Sequence, residues 1–346
     1  KSVPETCIDP LESIAEYGTD ALRLALIQGT GPGQDLRLYP EKMESCRRFA
    51  NKIWNAGRYI LLTIPLGTPI TPPEKVHSEL AQWLLHGLND LIRHSQTGLE
   101  AHRLSDVVDS LRSFFWGEFC DWYLEMDKKP ERTDEDNQVL AYSYSTLLKL
   151  MHPYVPFVTE ALWEQFKQPK MLAVSEWPQE QSYSFSESHN RIELLREAIS
   201  QIRKLREKAN IGLDKKIGAT LDSEKNAELF RTHQNLIIRL ARLSELEINE
   251  KTPDSSRDNL GAYFNETLAS IEASAVDWKK EIESLQKKLK TESGFVEKSL
   301  KKLKNPGFLD KAPEKVIIEL RGKVASTEKT LEALKLQIHE LDKLVE

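Results

Sequence analysis

The chain has 346 residues, of which 48 are Lys or Arg and 54 are Asp or Glu, so its net charge is −6. No apolar run approaches the roughly 20 residues of a membrane-spanning helix, which excludes a transmembrane protein. Three widely separated cysteines argue against a disulfide scaffold and a cysteine-based zinc site, and they fit a reducing cytoplasm. The acidic total argues, at first sight, against a nucleic-acid partner.

The first half of the chain predicts a helical bundle over residues 37–180, preceded by a linker over residues 1–36. Apolar side chains recur there at three- and four-residue spacing, and prolines and glycines separate the segments. Thr19 or Asp20 is the expected N-cap of the second helix. The predicted helices cover about 11–17, 20–28, 40–62, 74–101, 104–126, 133–151 and 157–166.

Residues 190–275 predict a small α/β subdomain. A basic helix over about 190–210 comes first. Strands are predicted over 216–221, 245–249 and 268–275, and one helix over about 223–243 lies between the first two.

Residues 276–346 predict an antiparallel coiled-coil hairpin, so the fold class is mainly α. Two runs with heptad spacing are separated by Asn305-Pro306-Gly307, which ends the first helix. This segment has 16 Lys and Arg against 13 Asp and Glu, which gives +3 and leaves −9 for the preceding residues. The net charge of −6 is therefore the sum of an acidic part, residues 1–275, and a basic part, residues 276–346.

The predicted tip of this hairpin concentrates lysines that suit a phosphate backbone. They are Lys298, Lys301, Lys302, Lys304 and Lys311. The alternative is a coiled coil that only dimerises or braces, with solvated lysines.

A second candidate surface lies on the helix that contains Phe49. Phe49, Ile53 and Trp54 are predicted to face the core. The opposite face carries Arg48, Lys52, Asn55 and Arg58, together with Asn51 and Tyr59. Cations neutralise phosphates, amides read base edges and rings stack on unpaired bases. The alternative is an ordinary solvated face whose cations pair with acids on another helix, such as Glu118, Asp121 and Glu125.

Catalytic signals are missing from the sequence. The glycine-rich segment 29–35 lacks the spacing of phosphate-binding loops and is predicted to be a turn. The eight histidines are scattered, and none forms a metal-binding motif. We therefore predict no catalytic residue, no metal site and no cofactor in this chain.

Several longer motifs resemble class I aminoacyl-tRNA synthetases of the valine, isoleucine and leucine group. They are FANKIWNA at 49–56, FCDWYLE at 119–125 and LMHPYVPFVTEALW at 150–163. Two others, GTGPGQD at 29–35 and NPGFLDKAPE at 305–314, narrow the resemblance to the valyl branch. The lack of a cysteine-rich zinc module, common in isoleucyl relatives, favours the same branch.

The N-terminal residues resemble the segment that follows the signature lysine loop of the catalytic domain. Ile8-Asp9-Pro10 and Asp20–Arg23 carry this likeness, and Lys1-Ser2 would end the loop itself. Residues 3–7 are longer than the family's usual connection and contain no glycine. Without an initiator Met or an apolar signal segment, the sequence is expected to be part of a longer chain.

The resemblance implies a division of roles. The bundle would be an anticodon-binding domain, with Arg48, Lys52, Asn55 and Arg58 on the anticodon side. The hairpin would be a tRNA-binding arm whose lysines contact the tRNA backbone. The partners would be a valine-specific tRNA and the rest of the synthetase chain, in a cytoplasmic monomer. ATP and Mg²⁺ would serve the parent enzyme, and this part alone would be inactive.

Two alternatives remain open from sequence. One is a protein-interaction scaffold whose coiled coil pairs with another protein or with itself. The other is a free-standing tRNA-binding module without an enzyme.

Overall fold

The computed structural model describes residues 9–31, 33, 35–252, 261–271, 278–303, 322–324, 327, 331 and 335. The chain divides into two compact units, Lys1–Leu194 and Leu195–Glu346. Helices dominate, and one small mixed sheet accompanies them, as predicted. Within the described ranges, no helix is long and apolar enough to cross a membrane.

The first unit is helical. In chain order its helices are α1 Pro10–Tyr17, α2 Thr19–Ile27, α3 Pro40–Thr63, α4 Glu79–Glu100, α5 Leu104–Ser113, α6 Leu124–Met126, α7 Asp134–Met151 and α8 Pro156–Trp163. Short 3₁₀ turns follow α8 at Glu164–Phe166 and Leu172–Val174. The next helix, α9 Ser186–Lys208, begins in the first unit and continues into the second.

The predicted helix from Leu104 to Met126 contains a wide central stretch. Residues Phe114–Tyr123 form a π-helix between α5 and α6. Phe115, Phe119 and Tyr123 are almost fully buried, and their rings follow one another at centroid distances of 5.8 and 6.0 Å. The wider turn of a π-helix, with its i to i+5 hydrogen bonds, suits this four-residue spacing of rings.

The predicted N-cap of α2 is wrong. Gly18 occupies that position, with φ of +90°, and no side chain caps the helix. The Asp20 carboxylate instead accepts the backbone N–H groups of Phe157 at 3.2 Å and Val158 at 2.7 Å, at the start of α8. Burial raises the pKa of Asp20, and these two hydrogen bonds partly oppose that rise. Asp20 therefore caps a distant helix, a pairing that local sequence does not show.

The start of α7 is held by buried carboxylates. Thr133 and Asp136 form a reciprocal capping box. Lys129 Nζ lies 2.7 Å from the Asp136 carboxylate, and Arg132 Nη1 lies 2.5 Å from that of Asp127. Burial raises the pKa of Asp136, but the hydrogen bonds from Lys129 and Thr133 outweigh it and leave the pKa below its usual value.

The second unit contains a four-stranded sheet with the order β2-β1-β4-β3. Its elements are β1 Ile217–Asp222, α10 Ala227–Thr232, α11 Gln234–Ala241, β2 Leu243–Asn249, β3 Gly261–Phe264, β4 Thr267–Ile271 and α12 Trp278–Leu303. β1 and β2 are parallel, so α10 and α11 form the crossover between them. β4 pairs antiparallel with both β1 and β3.

Two details of this unit differ from the sequence predictions. The single helix predicted over 223–243 is divided at His233 into α10 and α11. The sheet has a fourth strand, β3, which lies next to β4 and is only four residues long. Four residues around Ala262 are too few to show a clear alternation, so the strand escaped detection.

Part of the predicted hairpin is described. α12 covers the first heptad run, with Leu285 and Val296 buried. The turn at 305–307 and most of the second run lie outside the described residues, so the hairpin remains a prediction. Lys1-Ser2 also lies outside them.

Candidate nucleic-acid interface

The outer face of α3 is defined by packing on the opposite side. Met43, Cys46, Phe49, Ile53, Ala56, Gly57 and Ile60 are buried. The Tyr144 hydroxyl of α7 donates a hydrogen bond to the carbonyl of Ile53 at 3.0 Å. A Cβ atom at Gly57 would overlap the Tyr144 hydroxyl and Leu162, so a glycine allows this close approach. Buried contacts thus fix the rotation of α3 about its axis.

The four predicted anticodon-side residues differ in how their charges are neutralised. Arg48 is exposed, and its Nε lies 3.7 Å from the carboxylate of Glu44 one turn earlier. Lys52 is half-buried, with Nζ 3.2 Å from Asp121 and 5.3 Å from the ring centroid of Trp116. Asn55 and Arg58 are exposed.

Arg58 has no ion pair with any residue that the structure describes. The predicted alternative, cations paired with acids of another helix, therefore applies to Lys52 and Asp121. The same geometry leaves the end of the face around Arg58 as its most open cationic part. Whether these residues contact RNA remains a prediction.

Trp54 was wrongly predicted to face the core. Its side chain is 42% exposed, and Tyr59 on the same helix is 38% exposed. Trp54 follows the buried Ile53 and therefore lies about 100° around the helix from the centre of the packed side. The helical angle, and not the apolar character of the side chain, determines its exposure. The outer face of α3 thus combines two exposed aromatic rings with cations and amides.

The lysines near the C-terminus of α12 form the second candidate surface. Lys298, Lys301 and Lys302 are exposed. Lys301 Nζ lies 2.7 Å from the Glu297 carboxylate, in an exposed pair. Lys298 and Lys302 have no ion pair within the described ranges. Lys304 and Lys311 lie outside the described residues, so the proposed cluster is described only in part.

The two described cysteines, Cys46 and Cys120, are buried. Burial raises the pKa of the Cys120 thiol to about 12 and also raises that of Cys46. Such thiols are poor nucleophiles at neutral pH. Among the described residues, no group of three or more His, Cys, Asp or Glu is arranged to hold a metal ion.

Comparison with known families matches two segments of this chain. Residues 81–221 match the anticodon-binding domain of tRNA ligase, and residues 277–342 match the valyl tRNA synthetase tRNA binding arm. The chain is thus similar to tRNA ligases over the first segment and to valyl tRNA synthetases over the second. The family resemblance in the sequence is thereby confirmed.

Curated valine–tRNA ligases match almost the whole chain. The enzymes of Staphylococcus carnosus and Carboxydothermus hydrogenoformans are each 33% identical, and that of Clostridium acetobutylicum is 34% identical. Each match covers 96% of this chain and 39–40% of the relative. The chain therefore spans about two fifths of the length of these valine–tRNA ligases.

One solved structure gives a weaker match. It is the ternary complex of LeuRS, tRNA and LeuAMS from Agrobacterium radiobacter K84, with 18% identity and a TM-score of 0.42. The match covers 50% of this chain and 21% of the other.

The two family-domain matches leave α3 outside both named domains. Arg48, Lys52, Trp54 and Arg58 precede residue 81, where the anticodon-binding match begins. The exposed lysines of α12 fall inside the tRNA-binding-arm match.

Proposed function

We propose that this chain is the tRNA-binding region of a valine–tRNA ligase, with α3 facing the anticodon and the α12 lysines contacting the tRNA backbone. The observation that carries this proposal is the presence of an anticodon-binding domain and a tRNA-binding arm in one chain. The names of the relatives support a valine-specific tRNA as the ligand.

The outer face of α3 has the chemistry for unpaired anticodon bases. Trp54 exposes part of an indole ring, and base stacking on aromatic side chains is worth about 1–3 kcal/mol per base. Arg58 supplies an open cation less than two helical turns away. Asn55 adds an amide that can donate to and accept from a base edge. Together these groups provide a stacking surface, a charge and a base-reading group.

ATP and Mg²⁺ are proposed to act in other parts of the ligase. This proposal rests on the matches to valine–tRNA ligases, in which 39–40% of each relative is covered and the larger part lies outside the match. We propose that this chain positions tRNA for valylation as part of a monomeric cytoplasmic enzyme.

The α3 proposal is tested by tRNA binding to the full 346-residue chain. Trp54→Ala and Arg58→Gln should each weaken binding of a valine tRNA transcript by roughly tenfold, because stacking or a cation is lost. Phe157→Ala removes another exposed ring, and Arg103→Gln another exposed cation, of the same unit. These controls should bind tRNA as the unchanged chain does.

If α3 contacts the anticodon, the effect of Trp54→Ala should depend on the anticodon loop of the tRNA. With a tRNA whose anticodon loop is replaced by an unrelated sequence, binding should be weak and insensitive to Trp54→Ala. Equal losses for the two tRNAs would contradict an anticodon role for α3. No tRNA binding by the unchanged chain would contradict the proposed function itself.

The arm is tested by replacing Lys298, Lys301, Lys302, Lys304 and Lys311 with Ala. Because each phosphate contact releases counterions, the substitution should lower tRNA affinity and flatten its dependence on salt between about 50 and 200 mM. Identical binding curves at both salt concentrations would overturn the arm proposal. Sedimentation of the free protein checks its proposed monomeric state.

A further inference from the structure

A cleft in the second unit is lined by an unusual concentration of guanidinium groups. It has a volume of about 630 Å³ and lies between the C-terminal end of α9, the loop that follows it and the C-terminal end of α11. Its lining includes Arg203, Arg206 and Arg242, with Glu207 as the one acidic lining residue among those described. The lining therefore carries an excess of positive charge.

Arg206 forms the floor of this cleft. The residue is 3% exposed, yet its guanidinium bonds only to backbone carbonyls, those of Arg242 at 2.9 Å, Gly212 at 2.9 Å and Lys215 at 2.6 Å. A guanidinium has five N–H groups, so two remain without an acceptor among the described residues. No described carboxylate forms an ion pair with Arg206, and its buried charge is not neutralised by an acid.

Arg242 stands at the rim in a backbone conformation that favours glycine. It ends α11 with φ of +56° and ψ of +54°, in the left-handed region. Glycine is the usual residue at such a helix end, because it has no Cβ to clash. The Arg242 side chain is exposed and donates once, through Nη1, to the carbonyl of Leu213 at 2.7 Å.

The two guanidinium groups raise the potential at each other. Burial lowers the pKa of Arg206, the charge of Arg242 lowers it further, and Asp214 acts weakly in the opposite direction. Arginine nevertheless stays protonated in proteins, so both groups remain cationic. Arg203 adds a third guanidinium, whose Nε and Nη2 donate to the carbonyl of Leu240.

We propose that this arginine cleft binds a phosphate group of the tRNA backbone, which would contact Arg242 and Arg206. Arginine suits this ligand because its planar N–H groups can donate two parallel hydrogen bonds to phosphate oxygens. The proposal rests on the proposed function, since it takes tRNA as the source of the phosphate. It adds a contact point that lies outside α3 and outside the α12 lysines.

The decisive comparison is Arg242→Gln against Arg231→Gln in the full chain. Both remove one exposed cation from the second unit, but Arg231 lies on α10 and pairs with Glu250 at 3.1 Å. Arg242→Gln should weaken tRNA binding roughly tenfold and reduce the slope of log affinity against log salt by about one. Arg231→Gln should change neither quantity. If the unchanged chain binds tRNA tightly and both variants bind it with the same affinity as the unchanged chain, the cleft proposal fails and the proposed function stands.

Arg242→Gly distinguishes phosphate binding from a bracing role. Glycine relieves the left-handed backbone at this position, so the melting temperature should stay close to that of the unchanged chain. tRNA affinity should fall as it does for Arg242→Gln. A lowered melting temperature with unchanged tRNA affinity would show that Arg242 only braces the loop at Leu213, and would overturn the proposal.

A third experiment uses inorganic phosphate to distinguish an RNA phosphate from a free phosphate ion as the ligand. Free phosphate at millimolar concentration should compete with tRNA only weakly, because it lacks the other contacts of the RNA. In the opposite outcome, inorganic phosphate protects the unchanged chain from thermal unfolding and does not protect Arg242→Gln, while the two bind tRNA with the same affinity. This combination of results would identify a site for free phosphate. That outcome would contradict the RNA assignment.

Discussion

Several cations of the first unit and those of the arginine cleft in the second have different partners. In the first unit three cations face carboxylates: Lys52 faces Asp121, Arg132 faces Asp127 and Lys129 faces Asp136. In the cleft, Arg206 and Arg242 face backbone carbonyls. Both arrangements satisfy N–H donors, but only the first cancels charge.

This difference determines which cations are available to bind an RNA phosphate. A lysine beside an aspartate must give up part of an existing ion pair before it gains from a phosphate. An arginine held by carbonyls keeps its full charge and its position. The pairs also differ with pH, because carboxylates lose their charge in acid and backbone carbonyls do not titrate.

The largest expected effect on stability tests the hydrogen bonds from the cleft arginine Arg206 to backbone carbonyls. Arg206→Met removes the buried donor for three backbone carbonyls and should lower the free energy of unfolding by about 3 kcal/mol. Arg48→Met on α3 removes an exposed guanidinium and should leave stability unchanged. Urea denaturation of the two variants measures both. A stable Arg206→Met protein would mean that the carbonyl bonds contribute little.

The next effect tests whether packing sets the outer face of α3. Gly57→Ala forces a methyl group against Tyr144 and Leu162 and should cost about 2 kcal/mol of unfolding free energy. Gly117→Ala is the matched control, because a Cβ there meets nothing within 4 Å. If the two substitutions have equal effects on denaturation midpoints, the close approach of α3 to α7 and α8 is not rigid.

Acid should separate the two kinds of pairing. The pKa of Asp136 is lowered in the folded chain, so its contribution is present above its unfolded value near 3.8 and is lost as pH falls through the lower folded value. Asp136→Asn should cost about 1 kcal/mol at pH 7 and flatten the loss of stability below pH 4. The cost of Arg206→Met should be the same at both pH values. Denaturation at pH 7 and pH 3.5 tests this contrast.

The smallest expected effect is on tRNA affinity, and it tests whether the ion pair of Lys52 with Asp121 opposes a contact between Lys52 and RNA. Asp121→Asn removes the carboxylate beside Lys52 and leaves that lysine free to meet a phosphate. tRNA affinity should rise about twofold to threefold, in keeping with the modest strength of an exposed ion pair. Glu250→Gln, which frees Arg231 on α10, is the control and should not alter tRNA binding. Weaker binding by Asp121→Asn would show that the aspartate positions Lys52 rather than opposes its contact with RNA.

The helices α3, α4 and α5 could be predicted because each buries one regular stripe. Pro40 and Pro156 mark helix starts, and apolar spacing predicts the buried side of α3. The error at Trp54 arose from residue type, since an aromatic ring near a buried stripe is usually buried. Its exposure depends on its angle about the helix and on which neighbours cover that angle.

The arginine cleft could not be predicted in the same way. The acceptors of Arg206 are the carbonyls of Gly212, Lys215 and Arg242, which have no sequence signature. Backbone carbonyls belong to every residue, so only the fold shows which of them meet a side chain. The cap of α8 by Asp20 was missed for the same reason, because 137 residues separate Asp20 from Phe157.

The π-helix at Phe114–Tyr123 has a consequence for insertions and deletions. Such wide turns hold more residues than an α-helix of the same length, so removing one residue would let the segment tighten toward α-helical geometry. A deletion in α5, which is already α-helical, has no extra residue to absorb it and would turn every later side chain by about 100° relative to those before it. Asp121 would then leave Lys52, and Tyr123 would leave the buried column of rings. A one-residue deletion should therefore be tolerated better in the π-helix than in α5.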